Sequence, residues 1–212
     1  MRNYILLPIF TIFLFSACSF KMPEFLTFSD INYDELLKEA NICQDLDTEK
    51  EKLECYKKIE NSNSFAQIRL GTYYSTKNDY KESLKYLNMA DENKNLYAKL
   101  PLALLYYKGE GVKKDINKSF ELLKESSDID PIAAFQLSRF YLQGINTKID
   151  NEKGIDLLEF SAQNGVLQAQ ELLSNVYKQG LYGVAKDQIK YEYWLNKANS
   201  NKEDKNSNIY IF

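Results

Sequence analysis

Ala98, Leu102, Tyr106 and Gly109 stand at offsets 0, +4, +8 and +11, and the same series returns at Ala133, Leu137, Tyr141 and Gly144. It returns again at Ala169, Leu173, Tyr177 and Gly180. Ala66, Leu70 and Tyr74 open a further copy in which Lys77 stands at the glycine position. A second series follows each turn. Asp79, Asp115, Asp150 and Asp187 each precede a leucine at +8 (Leu87, Leu123, Leu158, Leu195) and a small residue at +11 (Ala90, Ser126, Ser161, Ala198). Residues four and eight apart share one face of a helix, and a glycine beyond that face marks the helix end. Each copy therefore reads as two short helices. A pair this short leaves its apolar stripe uncovered unless the next pair stacks on it. Four copies at a period of about 36 residues thus define an all-α solenoid.

The residues that carry the repeat also carry a resemblance. An alanine, a Leu-Gly step (Leu70-Gly71), a tyrosine, Gly109-Glu110-Gly111-Val112, Asp115 and then a small pair resemble the Sel1-like repeat, a relative of the tetratricopeptide repeat. Residues 98–127 match best; Ser161-Ala162-Gln163-Asn164-Gly165 and Trp194 also fit. Lys77, Gly144-Ile145-Asn146-Thr147 without a second glycine, and Ser126-Ser127 in place of Ala-Ala depart from the pattern. The resemblance covers residues 64–199, about two thirds of the chain. It implies a right-handed α-solenoid of stacked helix-turn-helix repeats and a role in protein–protein interaction, with peptidoglycan-associated machinery as one client. Some cysteine-rich relatives have been described as β-lactamases. The similarity therefore raises a weak envelope hydrolase or penicillin-interacting protein as the alternative.

Ahead of the array the chain reads as an exported protein. Met1-Arg2-Asn3 is a short basic start before an apolar run that is too short for a comfortable membrane span, which needs about 20 residues. Phe15-Ser16-Ala17-Cys18 resembles a bacterial lipobox, with Phe15 in place of the usual aliphatic residue. That resemblance implies a lipoprotein signal at residues 1–17 and lipidation of Cys18; an uncleaved anchor or an ordinary signal is the alternative. Residues 18–32 then form a tether, 33–62 an N-terminal helical hairpin, 63–199 the array and 200–212 a C-terminal tail. In the hairpin Leu36, Leu37, Ala40 and Cys43 make one stripe and Leu53, Tyr56 and Ile59 the other, and Thr48 with Glu51 suits a capping box. Once exported, Cys43 and Cys55 are an even pair that bridges the hairpin; two buried thiols are the other reading. Pro131 after Asp130 suits a helix start. Pro101 falls inside the expected first helix of the second repeat, so that helix starts late or kinks.

The chemistry of catalysis is missing from the sequence. With no histidine the usual general base and the commonest metal ligand are gone. No serine has a lysine three residues on, Lys-Thr-Gly is missing, and there is no Gly-x-x-x-x-Gly-Lys loop. Each recurring aspartate sits where a turn or helix start wants one. A net charge of −3 without a Lys/Arg block offers no electrostatic footprint for nucleic acid. The expectation is a non-enzyme with no cofactor, no metal and no nucleic-acid partner.

What remains is surface. If the pairs stack as in tetratricopeptide arrays, offsets −1, +2, +6, +9 and +10 from the repeat alanine line a groove. These give a candidate partner-binding set of Tyr97, Leu104, Tyr107, Lys108, Phe135, Arg139, Gln143 and Asn175, residue types among which tyrosine and arginine dominate binding elsewhere. Leu100, Leu104, Ile132 and Leu142 read equally as core between first helices. The apolar tip Ile209-Tyr210-Ile211-Phe212 is expected to cover the exposed end of the last repeat, the alternative being a recognition signal. The whole reads as a scaffold or adaptor for a protein or extended peptide in the bacterial periplasm, lipid-anchored to a membrane through Cys18, with the outer membrane favoured.

Overall fold

Five aspartates and two other polar side chains open seven of the ten helices found among the described residues of the computed structural model. Those residues are 32–201 and 209–212. The signal at 1–17, Cys18, the tether up to residue 31 and residues 202–208 of the tail lie outside them. An N-terminal pair, α1 (Tyr33–Gln44) and α2 (Glu49–Ile59), precedes four further pairs. These are α3 (Ser64–Thr76) with α4 (Tyr80–Glu92), α5 (Lys99–Lys108) with α6 (Ile116–Ser126), α7 (Pro131–Gln143) with α8 (Asn151–Gln163), and α9 (Leu167–Gln179) with α10 (Gln188–Ser200). Each first helix packs most heavily on its own second helix, and each second helix then meets the next first helix. Ala66, Ala133 and Ala169 are each the third residue of their helix, and Ala98 ends a 3-10 turn just ahead of α5. All four are fully buried. The fold is an α-solenoid, and residues Tyr33–Phe212 make one compact unit.

The alternation of tyrosine and aspartate in the repeat has a single cause. The N–H of Asp79, Asp115, Asp150 and Asp187 returns to the carbonyl of Tyr74, Tyr106, Tyr141 and Tyr177 at 2.9, 2.9, 3.0 and 3.0 Å. The same aspartates accept from the backbone N–H of Glu82, Lys118, Lys153 and Lys190 at 3.2, 2.9, 3.1 and 2.9 Å. One residue thus closes the turn behind it and caps the helix ahead, where losing such a cap costs about 1 kcal/mol. Gly109, Gly144 and Gly180 end the first helices at φ 80°, 67° and 72°. In the first repeat Lys77 stays right-handed and Asn78 takes the left-handed position, at φ 60°. Asparagine tolerates that region better than most residues.

Burial does the larger share of the work. Leu70, Leu87, Leu123, Leu137, Leu158 and Leu173 are all at most 3% exposed, and a leucine fully removed from water contributes about 1.5–3 kcal/mol. Of the groove positions that could equally be core, Leu100 and Leu142 are buried, Ile132 is half-buried and Leu104 is exposed. Pro101 is the third residue of α5, where no intrahelical donor is needed. The helix starts late, at 10 residues against 13 for α3, α7 and α9.

The first pair is bound to the array by polar contacts as well as apolar ones. Cys43 and Cys55 form a disulfide between α1 and α2. The capping box at Thr48 and Glu51 is present. Arg69 of α3, fully buried, donates from Nη2 to Asn41 Oδ1 at 2.5 Å and from Nη1 to the Tyr56 hydroxyl at 3.3 Å, so one side chain holds α1 and α2 to the first repeat. Asn63 caps α3 through Oδ1 and donates to the Leu36 carbonyl at 2.8 Å.

The tip overturns an expectation. Ile209, Tyr210 and Phe212 do not cover the end of the last repeat; they pack into the cluster that includes Tyr56, Phe65 and Tyr97. The reason is chemical. The face at the first repeats offers aromatic rings together with polar partners for a phenol and a carbonyl, whereas α10 presents Ile189 and Tyr193 among lysines and glutamate.

Candidate functional site

Between α5, α6 and α7 lies a cleft of about 260 Å³. Its floor is Ser119, Leu123 and Phe140, all buried, and its rim is Leu104, Tyr107, Lys108, Gln136, Arg139 and Ile145. The helix spacing explains the rim. Leu104 and Tyr107 lie three apart on α5 and Gln136 and Arg139 three apart on α7, so both helices turn one face towards the gap. Leu104 is 38% and Tyr107 36% exposed, so both side chains reach solvent at the mouth of the gap. The Tyr107 ring packs 5.8 Å from Phe140, with Lys114 Nζ 5.8 Å above it. Arg139 Nη1 donates to Gln136 Oε1 at 3.2 Å, and Lys108 lies 3.5 Å from Glu110. The cleft therefore has a mainly apolar floor and a mixed rim whose charged members, Lys108 and Arg139, are both cations. Its volume falls short of the roughly 300–1,000 Å³ of small-molecule sites, and suits one large side chain of a partner. A wider hollow of about 600 Å³ sits over the turn from Val112 to Asp115 and the start of α6. Its one carboxylate, Asp115, is already the cap of α6, and no acid, base and nucleophile converge there.

Four of the eight groove residues read from the sequence, Leu104, Tyr107, Lys108 and Arg139, line this one cleft. The other four lie elsewhere. Gln143 is exposed beyond it, Phe135 is half-buried against the core of the fourth repeat, and Asn175 accepts from Gln179 at 2.6 Å. Tyr97 is engaged from three sides. Its ring lies 5.9 Å from Tyr33 and 5.7 Å from Phe65, its hydroxyl donates to the Ile129 carbonyl at 3.2 Å, and its own carbonyl faces the Tyr210 hydroxyl.

That last contact belongs to a second surface. The Tyr210 hydroxyl donates to Asp130 Oδ2 at 2.5 Å, with the Tyr97 carbonyl 3.2 Å away. The Thr72 hydroxyl donates to the Tyr210 carbonyl at 2.8 Å. The Phe212 ring lies 4.2 Å from Tyr73 and 5.2 Å from Tyr56. Burial, reinforced by the Asp130 carboxylate, holds the Tyr210 phenol well above its ordinary pKa, so it remains a donor. Asp130 does two jobs, since its Oδ1 also caps α7 through the Ile132 N–H at 2.9 Å. Among the described residues no group of three His, Cys, Asp or Glu side chains is placed to hold a metal ion.

The sequence pattern of the Sel1 repeat matches residues 64–92, 98–129, 131–166 and 167–202. The chain belongs to the Sel1 repeat family. The four matched segments correspond to the pairs α3–α4 to α9–α10, leaving α1, α2 and the tip outside the repeats. A Sel1 repeat protein from Oxalobacter formigenes has a similar fold, with a TM-score of 0.69 at 24% identity, over 77% of this chain and 71% of that one. A protective antigen present in uropathogenic Escherichia coli strains, displaying an SLR fold, aligns with a TM-score of 0.62 at 24% identity, over 79% of this chain and 38% of that one. Among curated proteins, the alginate biosynthesis protein AlgK of Pseudomonas syringae pv. tomato (strain ATCC BAA-871 / DC3000) is 29% identical over 102 residues. The match takes in 48% of this chain and 22% of that protein. Sel1 repeats generally mediate protein–protein interaction and are generally non-catalytic.

Of the candidate groove residues only Tyr97 falls on the tip-bearing face, because the other members of that face are scattered along the sequence. Thr72 stands at offset +6 of the first repeat, the same place as Leu104 and Arg139, and extending the offset series back to that repeat would have found it. Asp130 read only as a cap.

Proposed function

We propose that this Sel1-repeat protein is a non-catalytic scaffold of the bacterial envelope, lipid-anchored through Cys18, that holds a protein or extended peptide at the cleft between its second and third repeats. The observation that carries the reading is the convergence of Leu104 and Tyr107 from α5 with Arg139 from α7 on one open, apolar-floored cleft. Its dimensions favour a partner segment that inserts one large apolar side chain. The cations Lys108, Lys114 and Arg139 around it favour acidic residues on either side of that anchor. The exported location is supported by the Cys43–Cys55 disulfide, a bond that persists in oxidising compartments, and by the lipobox-like run ending at Cys18.

A photoreactive amino acid at position 107, in the membrane fraction of the native host, tests both parts. The expected result is a discrete adduct that is absent when the same group replaces Ile189, which is 82% exposed on α10 away from the cleft. It weakens in the Arg139→Ala background, and the protein leaves the membrane fraction in the Cys18→Ala variant. Identical adducts from positions 107 and 189 remove the cleft from the argument; unchanged partitioning removes the anchor.

A further inference from the structure

We propose that the surface formed by α3 together with Tyr56, Tyr97 and Asp130 is a second binding site, specific for a peptide segment of the form aliphatic-Tyr-x-Phe, and that residues 209–212 occupy it from within the same chain. The contacts at this surface read the identity of the segment. Tyr210 inserts a phenol that meets an acceptor pair, Asp130 Oδ2 and the Tyr97 carbonyl, and Thr72 takes the backbone carbonyl of the same residue. Two residues on, Phe212 lies against Tyr73 and Tyr56, while Ile211 between them is 45% exposed. Ile209, Tyr210 and Phe212 thus pack on the surface, and Ile211 is the one residue of the tip that it does not engage. The three polar contacts bridge separations of 80, 113 and 138 residues, so the occupant is remote in sequence from everything that holds it. Its recognised groups, a tyrosine hydroxyl, a carbonyl and a phenyl ring, are ones any protein segment of this sequence presents. The ligand class is therefore a partner segment in which an aliphatic residue precedes a Tyr and a Phe follows two residues on, in competition with the resident tip. The surface is separate from the cleft at Tyr107 and Arg139, and each stands without the other.

The test uses the full chain and a fluorescent peptide of residues 205–212, with a control peptide in which both aromatic residues are alanine. In the full-chain variant Tyr210→Ala/Phe212→Ala the resident tip no longer competes, and fluorescence anisotropy should show saturable binding of the probe. Wild type should bind it at least about tenfold more weakly, because a tethered competitor acts at an effective concentration in the millimolar range. Binding should be lost with the control peptide, weakened by Thr72→Val, and unchanged by Tyr107→Ala. A variant with unchanged helix content that does not bind the probe overturns the proposal, and so does equal affinity for wild type and variant. If the double variant loses its helix signal, Tyr210→Phe, which keeps both rings and removes only the hydroxyl, takes its place. It should bind the probe more tightly than wild type, and no difference from wild type overturns the proposal.

Discussion

At the scale of single residues, the repeat works by placing small or polar groups where helices come closest. Gly71 sits at the α3–α4 contact, where an added Cβ would lie 2.6 Å from both Cγ and Cδ2 of Leu87 and 3.2 Å from the Ser83 carbonyl oxygen. Leu87 is fully buried and cannot swing aside. Overpacking of this kind costs about 1–3 kcal/mol, and with the added Cβ at 2.6 Å from two Leu87 atoms it outweighs the roughly 1 kcal/mol gained from alanine's better helix propensity. Gly71→Ala should therefore lower the urea midpoint at unchanged slope; a variant as stable as wild type would show that α3 and α4 are less tightly apposed. The equivalent place in the later repeats holds Ala103, Ser138 and Ser174, so the requirement for glycine belongs to the first repeat alone. Residue-scale features of this type were legible where the bonds are local. The Asp-to-N3 contacts span three residues, and the sequence offsets display them directly. Asn78 escaped notice for an equally local reason: Lys77 holds the glycine place, and the left-handed conformation moved one residue along.

At the scale of elements, the N-terminal pair depends on connections that the repeats do without. Helices of 12 and 11 residues are marginal alone, and in α1 only Ala40 and Cys43 are buried. The Cys43–Cys55 bond closes a separation of 12 residues, a loop for which chain entropy assigns about 3 kcal/mol. Cys43→Ser/Cys55→Ser should lose about that amount in chemical denaturation, with the loss starting in α1 and α2. Dithiothreitol should bring wild type to the same midpoint and leave the variant where it is. Coincident midpoints for wild type with and without reductant would show that the hairpin is held by packing and by polar ties such as those of Arg69 and Asn63. The hairpin was legible as two stripes, because apolar spacing within one helix is a local signal. The part played by Arg69 was not. A buried arginine whose partners, Asn41 and Tyr56, lie on two other helices is set by tertiary packing, and no spacing within α3 announces it.

At the scale of the whole molecule, a solenoid is a row of neighbours, and a change at one end is ordinarily felt at that end. The tip breaks this rule. Residues 209–212 follow α10 in the chain but pack with Tyr56, Tyr73, Tyr97 and Asp130, which belong to the hairpin and the first three repeats. Nothing in the order of the repeats foretells this, since composition shows an apolar tip in need of cover and leaves its destination open. The nearer end of the array was the simpler expectation, and aromatic surface with the right polar partners at the far end prevailed. Tyr210→Ala/Phe212→Ala should therefore act at a distance. Two partly buried aromatic side chains contribute about 1–2 kcal/mol to the segments they cover, which corresponds to about a 5–30-fold faster amide exchange there. Hydrogen exchange followed by mass spectrometry should show the acceleration in α2 and α3, with α9 and α10 protected as in wild type. If the faster exchange appears in α10 and spares α3, the tip stabilises the repeat it follows, and the long-range tie between the two ends of the array is wrong.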